Sequence, residues 1–296
     1  MTSESKYIHN ALKQVFHKTT CFSVQGFSIS GLATYVQFPE LNFCVDMGEC
    51  PLSATPIDHV FLTHAHGDHA RCLMRHHSLR KMMGVERDSV YYMPENIYEG
   101  AKAWIKAEAM FEGVSEAKFR YPEIIPVKAG ERTPLRYRKD LVLEPFTVRH
   151  SVPAMGATIY LHKKKLKDEF IGKSANEIIQ LRADGVDVTR DVFDPLLSFT
   201  GDCQGESLFE NDSIFKSKVL MTECTFLDKD EEQMAHKKGH THLNSIVKAL
   251  NELGDEVKCE QIVLTHFSMK YSEKHILDML AKNIPEKFRE RVVAFI

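Results

Sequence analysis

His64-Ala65-His66-Gly67-Asp68-His69 stands directly after the apolar run Asp58-His59-Val60-Phe61-Leu62-Thr63. The run is continuous and rich in β-branched and aromatic residues, the pattern of a strand buried on both faces. Its end delivers three imidazoles and a carboxylate within six residues, and a tight turn can aim all four at one point. Imidazole nitrogen and carboxylate oxygen are the usual zinc donors where thiolates are absent. A polar loop with chance histidines is the bland alternative.

Four donors are too few for two metals, and three more residues stand in equivalent places. His150 follows the strand predicted over 141–147, Asp202 follows that over 196–200 in Ser-Phe-Thr-Gly-Asp, and His266 follows that over 261–265 in Val-Leu-Thr-His-Phe-Ser. Each lies just past the carboxyl end of an apolar strand, where α/β folds form their ligand crevice. Taken singly, each has an ordinary reading as a hydrogen-bonded histidine or a turn aspartate. Their recurrence argues for one shared site, and seven donors suffice for two zinc ions with one carboxylate bridging.

Outward from this stretch the chain alternates strands and helices. Short strands are expected over 21–30, 33–38 and 42–46, another over 90–93, and later ones over 158–162 and 218–222. Helices are expected over 68–83, with Arg71, Arg75 and His76 on polar faces, over 96–112 with Trp104 in the core, and over 242–253 and 273–282. Residues 161–195 break the pattern, being charged, turn-containing and weakly periodic. Their lysines are Lys163, Lys164, Lys165, Lys167 and Lys173. A lysine run is by itself a solvated face. The chain is 296 residues long, without repeat or low-complexity linker. That length suits two similar α/β halves packed sheet to sheet around one site, with one inserted arm.

Composition narrows the function. Hydrophobic residues make up 43% and charged residues 27%, as in ordinary globular proteins. The formal charge of −3 supplies no global basic field for nucleic acid. The polar stretch 1–10 lacks the apolar core of a secretory leader, and no run approaches the ~20 apolar residues of a membrane span. Seven scattered cysteines form no CxxC pair, which points to a reduced, cytoplasmic protein with inert thiols. Cys203 reads as filler beside Asp202.

The set HxHxDH with later histidines and an aspartate resembles the metallo-β-lactamase superfamily, from about residue 22 to the end. The resemblance implies the four-layer αββα sandwich of that α/β fold, as a single domain over 1–296. It also implies a ligand assignment. His64, His66 and His150 would hold one metal, Asp68, His69 and His266 the other, and Asp202 would bridge. Asp46, in Val-Asp-Met-Gly, would orient ligands by hydrogen bonds.

Within the superfamily the chain resembles ribonuclease Z. The segments that carry this are Arg149-His150-Ser-Val-Pro153-Ala-Met-Gly156, Thr222-Glu223-Cys-Thr225-Phe226, Gly239-His240-Thr241, and Leu-Thr-His266-Phe-Ser268-Met-Lys270-Tyr271. The arm resembles the short, plant-type form of the family's tRNA-grasping arm. The family's Pro-x-Lys-x-Arg-Asn loop is absent. Ala70-Arg71-Cys72-Leu73 replaces its Gly-Leu-Pro stretch, Lys270 replaces an arginine, and His242 is an added histidine best read as a helix start.

The implied activity is removal of the 3′ trailer from precursor tRNA, a phosphodiester hydrolysis by a di-zinc-activated hydroxide. Two Zn2+ per chain are implied, with Mn2+ or Fe2+ as alternatives. Asp68 would also accept the proton of the attacking water. His240, held by Glu223, would protonate the leaving oxygen. The arm lysines would hold tRNA, and Arg71, Arg75, Arg80 and Lys81 either contact phosphate near the scissile bond or pair with surface acids. A homodimer is expected, with no membrane association. The competing readings are a di-zinc phosphodiesterase for cyclic nucleotides or other small diesters, and a non-catalytic binding module on the same fold.

Overall fold

The computed structural model describes residues 13–115 and 117–296; the stretch 1–10, read above as lacking a leader, lies outside them. Two sheets account for the strands among these residues. The first holds β1 (Val15–Lys18), β2 (Ser23–Ser30), β3 (Ala33–Phe38), β4 (Phe43–Val45), β5 (His59–Phe61), β6 (Val90–Pro94) and β7 (Glu123–Val127) in sequence order. The second holds β8 (Thr133–Leu135), β9 (Arg138–Thr147), β10 (Met155–Leu166), β11 (Thr189–Phe199), β12 (Val219–Glu223) and β13 (Gln261–Thr265). A two-residue strand β14 (Phe267–Ser268) crosses back to pair with β2, and β15 (Val292–Ala294) closes the second sheet beside β13.

Alternation of side chains across each strand builds the layers. Phe61, Val90 and Tyr92 of the first sheet meet Leu143, Ile159, Phe199, Met221 and Val263 of the second in one buried cluster. Their neighbours Val60, Leu62, Tyr91 and Met93 face the other way, against α1 (Gly67–Ala70), α2 (Leu73–Met82) and α3 (Glu95–Phe111). On the far side of the second sheet, Leu220, Ile262 and Leu264 pack against α5 (Ser207–Glu210), α7 (Leu243–Leu253) and α8 (Glu273–Asn283). The result is the four-layer αββα arrangement expected from the sequence. Its core needs strands apolar on both faces, which is why residues 58–63 read as a continuous apolar run.

The 161–195 segment is a continuation of the second sheet. β9 pairs with β10 only as far as Leu161, opposite Leu141, whereas β10 and β11 stay paired out to Leu166 and Thr189. The two strands therefore leave the sheet as a ribbon. It is tipped by α4 (Ala175–Ala183), whose start is closed by a reciprocal Ser174–Glu177 capping box.

Several expectations need correction. The helix over 68–83 is two helices broken at Arg71–Cys72. Positions 73, 76/77 and 80 of α2 share one face, so His76 is carried inward rather than held on a polar face. Arg80, read as part of a basic cluster meeting phosphate or surface acids, is carried inward with it. His76 bonds the Tyr91 hydroxyl at 2.8 Å and the Ala54 carbonyl at 3.0 Å. Arg80 is buried against Asp58 and the carbonyls of Thr55, Ile57 and Arg87. Trp104 is 36% exposed, because Ile105 and Ala109 are the residues of α3 turned to the sheet and position 104 lies a step round the helix. The edge strands β1, β7, β8 and β15 are short and weakly patterned, and the sequence reading passes over them. His242 is the helix start expected, its Nδ1 accepting from the Asn244 amide at the head of α7.

Candidate metal centre

The parallel strands β11, β12 and β13 end level with one another, so Asp202, Glu223 and His266 emerge side by side. From the facing sheet, β4 leads directly into Asp46, and β5 leads through Leu62 and Thr63 into the 64–69 turn. His150 follows β9. The Nε2 of His64 lies 3.0 Å from Nδ1 of His66, which is 3.3 Å from Nε2 of His150. Nε2 of His69 lies 3.3 Å from Nε2 of His266 and 3.3 Å from Oδ2 of Asp202. Asp202 Oδ1 is 3.4 Å from His266 Nε2, and Asp68 Oδ2 is 3.7 and 3.8 Å from His69 and His266. Three overlapping groups result, each with all donor atoms within 4.8 Å: His64, His66, His150 and Asp202 in one, Asp68, His69 and His266 in another, and Asp202, His240 and His266 in a third.

These spacings fit a divalent ion. Donors ~2.0–2.1 Å from a tetrahedral centre stand ~3.3 Å apart. Ring orientation fits as well. Nδ1 of His64 bonds Thr63 Oγ1 at 2.9 Å, that of His69 bonds Asp46 at 2.7 Å, that of His150 bonds the Gly239 carbonyl at 2.7 Å, and that of His266 bonds Thr225 Oγ1 at 3.0 Å. With Nδ1 engaged outside, Nε2 of each of these rings is turned inward. Thr63, Thr225 and the Gly239 carbonyl carry no charge and no ligand pattern, so sequence reading assigns them nothing. Thr225 lies within a quoted motif, the one signal available for it.

Backbone strain is concentrated here. Asp46 and His266 both have φ of 60°. An L residue in that left-handed region costs about 1–2 kcal/mol, and such strain gathers at functional sites. Gly239 ends α6 (Glu232–Lys238) with φ 78°, and a Cβ there would stand 2.8 Å from the Ser151 amide and 3.1 Å from His150 Nδ1. Only glycine lets the carbonyl approach that ring.

The electrostatics suit a bound cation. Burial disfavours a charged His69, yet Asp202 and Asp46 beside it hold its pKa well above the usual imidazole value. The same pair of carboxylates would favour a divalent ion in place of the proton. Burial drives His64 down to about 2 and lowers His150, so both are neutral donors. Burial also opposes the charged form of Asp202, but His266 and His69 outweigh it and keep it ionised.

Beside the cluster stands His240, 15% exposed, its Nδ1 donating to Glu223 Oε1 at 2.9 Å. Burial lowers its basicity, but the Glu223 carboxylate more than compensates and lifts its pKa to about 9. Glu223 is itself buried and also accepts from the Cys203 amide at 2.7 Å and from Thr225. Cys203 turns its thiol to Thr241, and burial pushes its pKa up.

The arm lysines are not brought to this cluster. Met155, whose amide bonds the Thr63 carbonyl at 3.0 Å, marks the site end of β10. Lys163 is eight residues further on, roughly 26 Å at ~3.3 Å per residue. Lys163 pairs with Asp194 at 2.9 Å, Lys167 with Asp187 at 3.8 Å and Lys173 with Glu177 at 3.9 Å. Lys164 and Lys165 are exposed. Near the site, Arg75 pairs with Glu49, Lys81 with Asp88, and Arg71 bonds the carbonyls of Gly48 and Leu32. Within the protein itself, Arg75, Arg80 and Lys81 pair with acids and Arg71 with backbone carbonyls.

Comparison with known proteins adds to this geometry. Residues 46–267 match the model of the β-lactamase superfamily domain. The chain is 31% identical to tRNase Z TRZ1 of Arabidopsis thaliana, over 92% of this chain and 94% of that one. It is likewise 31% identical to the chloroplastic tRNase Z TRZ2 of the same plant, over 88% and 72%. Among solved structures, human tRNase Z, short form, superposes with a TM-score of 0.52 at 18% identity, covering 96% of this chain and 97% of that one.

Proposed function

The chain belongs to the tRNase Z family of the β-lactamase superfamily, and on that premise we propose that it is a metal-dependent endoribonuclease removing the 3′ trailer from tRNA precursors. The observation that carries this reading is the gathering of seven donor side chains at one set of strand ends, with the His240–Glu223 pair against them. In this reading His64, His66 and His150 hold one ion, Asp68, His69 and His266 the other, and Asp202 lies between. Zinc is the ion proposed, since the donors are imidazole and carboxylate at tetrahedral spacing. A bound zinc pair supplies a water acidified to pKa ~7 and charge to neutralise the phosphate oxygens.

The chain's own groups do the rest. Asp68 accepts a hydrogen bond from the Gly31 amide at 2.9 Å, which fixes its carboxylate at the rim. There it orients the attacking water and takes up its proton. His240 has Nδ1 committed to Glu223, so Nε2 is the nitrogen that hands a proton to the leaving 3′ oxygen. Its raised pKa keeps that proton in place at neutral pH.

Recognition is assigned to the arm at 161–195, with Lys163, Lys164, Lys165, Lys167 and Lys173 meeting the phosphate backbone. Contacts of this kind read shape rather than sequence. The arm leaves the sheet at the end away from the site, so we assign the working unit to a homodimer in which one subunit's arm grips the tRNA cut by the other. The exposed apolar residues Trp104, Met110 and Phe111 along α3 favour self-association. Among the described residues no helix is long and apolar enough to cross a membrane. The free, mostly buried thiols suit a reducing compartment, and the cytoplasm is the one proposed.

The test is incubation of the purified protein with a trailer-bearing precursor tRNA. Cleavage at the trailer junction is expected, and it should disappear in His66→Ala. Absence of cleavage, or cleavage indifferent to that substitution, defeats the reading.

A further inference from the structure

The ribbon formed by β10 and β11 should be loose where it leaves the sheet. An isolated two-stranded ribbon is marginal in water. β9 stops pairing at Leu161, so the first rung without a third strand is His162 opposite Phe193. That rung is tied to the body of the protein. The rings of His162 and Phe193 are stacked, with centroids 4.7 Å apart and planes within 10°. The guanidinium of Arg132, which precedes β8, sits 4.3 Å from the Phe193 ring centre and 5.0 Å from that of Tyr160. Arg132 is in turn bonded to the Glu144 carboxylate on β9. On the outer side, His162 Nε2 contacts Asp191 at 2.7 Å.

We propose that Arg132 and Phe193 form a clamp that sets the angle of the arm to the catalytic body, and so act as positioning residues for a long folded RNA. The chain of contacts runs Glu144, Arg132, Phe193, His162, Asp191, from the three-stranded body to the free ribbon. No member of it touches the metal cluster. The inference rests on the reading of the arm as the RNA grip. It adds that the grip works only while its root is stiff. A projecting element with a fixed angle meets its ligand already oriented, and a loose one must be ordered on binding. Small substrates, which never reach the arm, are indifferent to the clamp.

The experiment compares wild type, Phe193→Ala, Arg132→Ala and the conservative Phe193→Tyr. Steady-state kinetics are measured on precursor tRNA and on bis(p-nitrophenyl) phosphate, and amide hydrogen exchange is followed over 163–190. Both alanine variants should raise KM for precursor tRNA roughly tenfold, the scale expected when one cation–π interaction is removed. Their kcat and their hydrolysis of the small diester should be unchanged, exchange in the ribbon should quicken, and Phe193→Tyr should behave as wild type. Equal losses on both substrates would make these residues general supports of the fold and overturn the inference. Unchanged KM, or unchanged exchange, would overturn it too. Failure of the family reading looks different, since wild type itself would then leave precursor tRNA intact.

Discussion

The two ends of the second sheet are built on opposite principles. At the carboxyl ends of β11, β12 and β13, Asp202, Glu223 and His266 are each no more than 3% exposed, and His64, His69, His266 and His150 are tethered from behind by Thr63, Asp46, Thr225 and the Gly239 carbonyl respectively. At the other end, the ribbon is solvated through most of its length, and its charges pair across the surface or not at all. Chemistry asks for donors held to within tenths of an ångström, which buried strands anchored on two layers provide. Gripping a large polyanion asks for reach and exchangeable ion pairs. In the proposed reading one pair of strands serves both demands, because β10 and β11 are sheet at one end and arm at the other.

That contrast can be attacked from either end. The largest effect belongs to the site: Asp202→Ala should lower turnover of both precursor tRNA and a small diester by ~10³-fold or more, as loss of one member of a catalytic unit does. Metal analysis of the same variant should show less than the wild-type content; full metal with full activity would remove Asp202 from the centre. Next, His240→Gln should cost ~10²–10³-fold in kcat on RNA, the range of a positioned proton donor. The cost should shrink with a substrate whose leaving group is a stable phenolate needing no proton. An equal loss on both substrates would assign His240 to structure.

Deleting residues 163–192 attacks the other end. Cleavage of precursor tRNA should fall ~10²-fold or more in kcat/KM, because the phosphate contacts go with the arm. Hydrolysis of the small diester should be retained. Loss of neither activity would favour a small-diester enzyme and dissolve the division of labour between the two ends.

The smallest effect on catalysis is expected far from both, at Asp58. Burial would raise its pKa, but hydrogen bonds from Arg80, Asn42 and Arg87 lower it below the ordinary carboxylate value. A depressed folded-state pKa contributes stability that is present above the unfolded value near ~3.9 and is lost as pH falls through the lower folded value. Asp58→Asn should therefore cost about 3 kcal/mol at pH 7, chiefly by leaving Arg80 buried without a counter-charge. Urea midpoints of wild type and variant should converge towards pH 3. A constant gap across that range would show that the loss is one of packing.

The legibility of the molecule follows the same division. His64, His66, Asp68 and His69 are readable because a local turn gathers them within six residues. His150, Asp202 and His266 are readable because each repeats one context, an apolar strand end. The fold class follows from the same strands, since segments apolar on both faces demand cover on both sides. Trp104, His76 and Arg80 are misread because composition does not reveal which side of a helix meets a sheet; the neighbours Ile105, Ala109 and Leu73 decide that.

By itself, then, the sequence determined the donor types, their strand-end positions and the layered α/β class, all of which rest on periodicity and local spacing. Only the tertiary structure decided which oxygen holds the back of His64, His69, His150 and His266, and that Asp46 and His266 accept a left-handed backbone. It also decided that the lysine-rich ribbon points away from the site. These are relations between residues up to about two hundred positions apart in the chain, such as His69 and His266 at 3.3 Å. No local pattern encodes them, because they arise only when two sheets close on a common core.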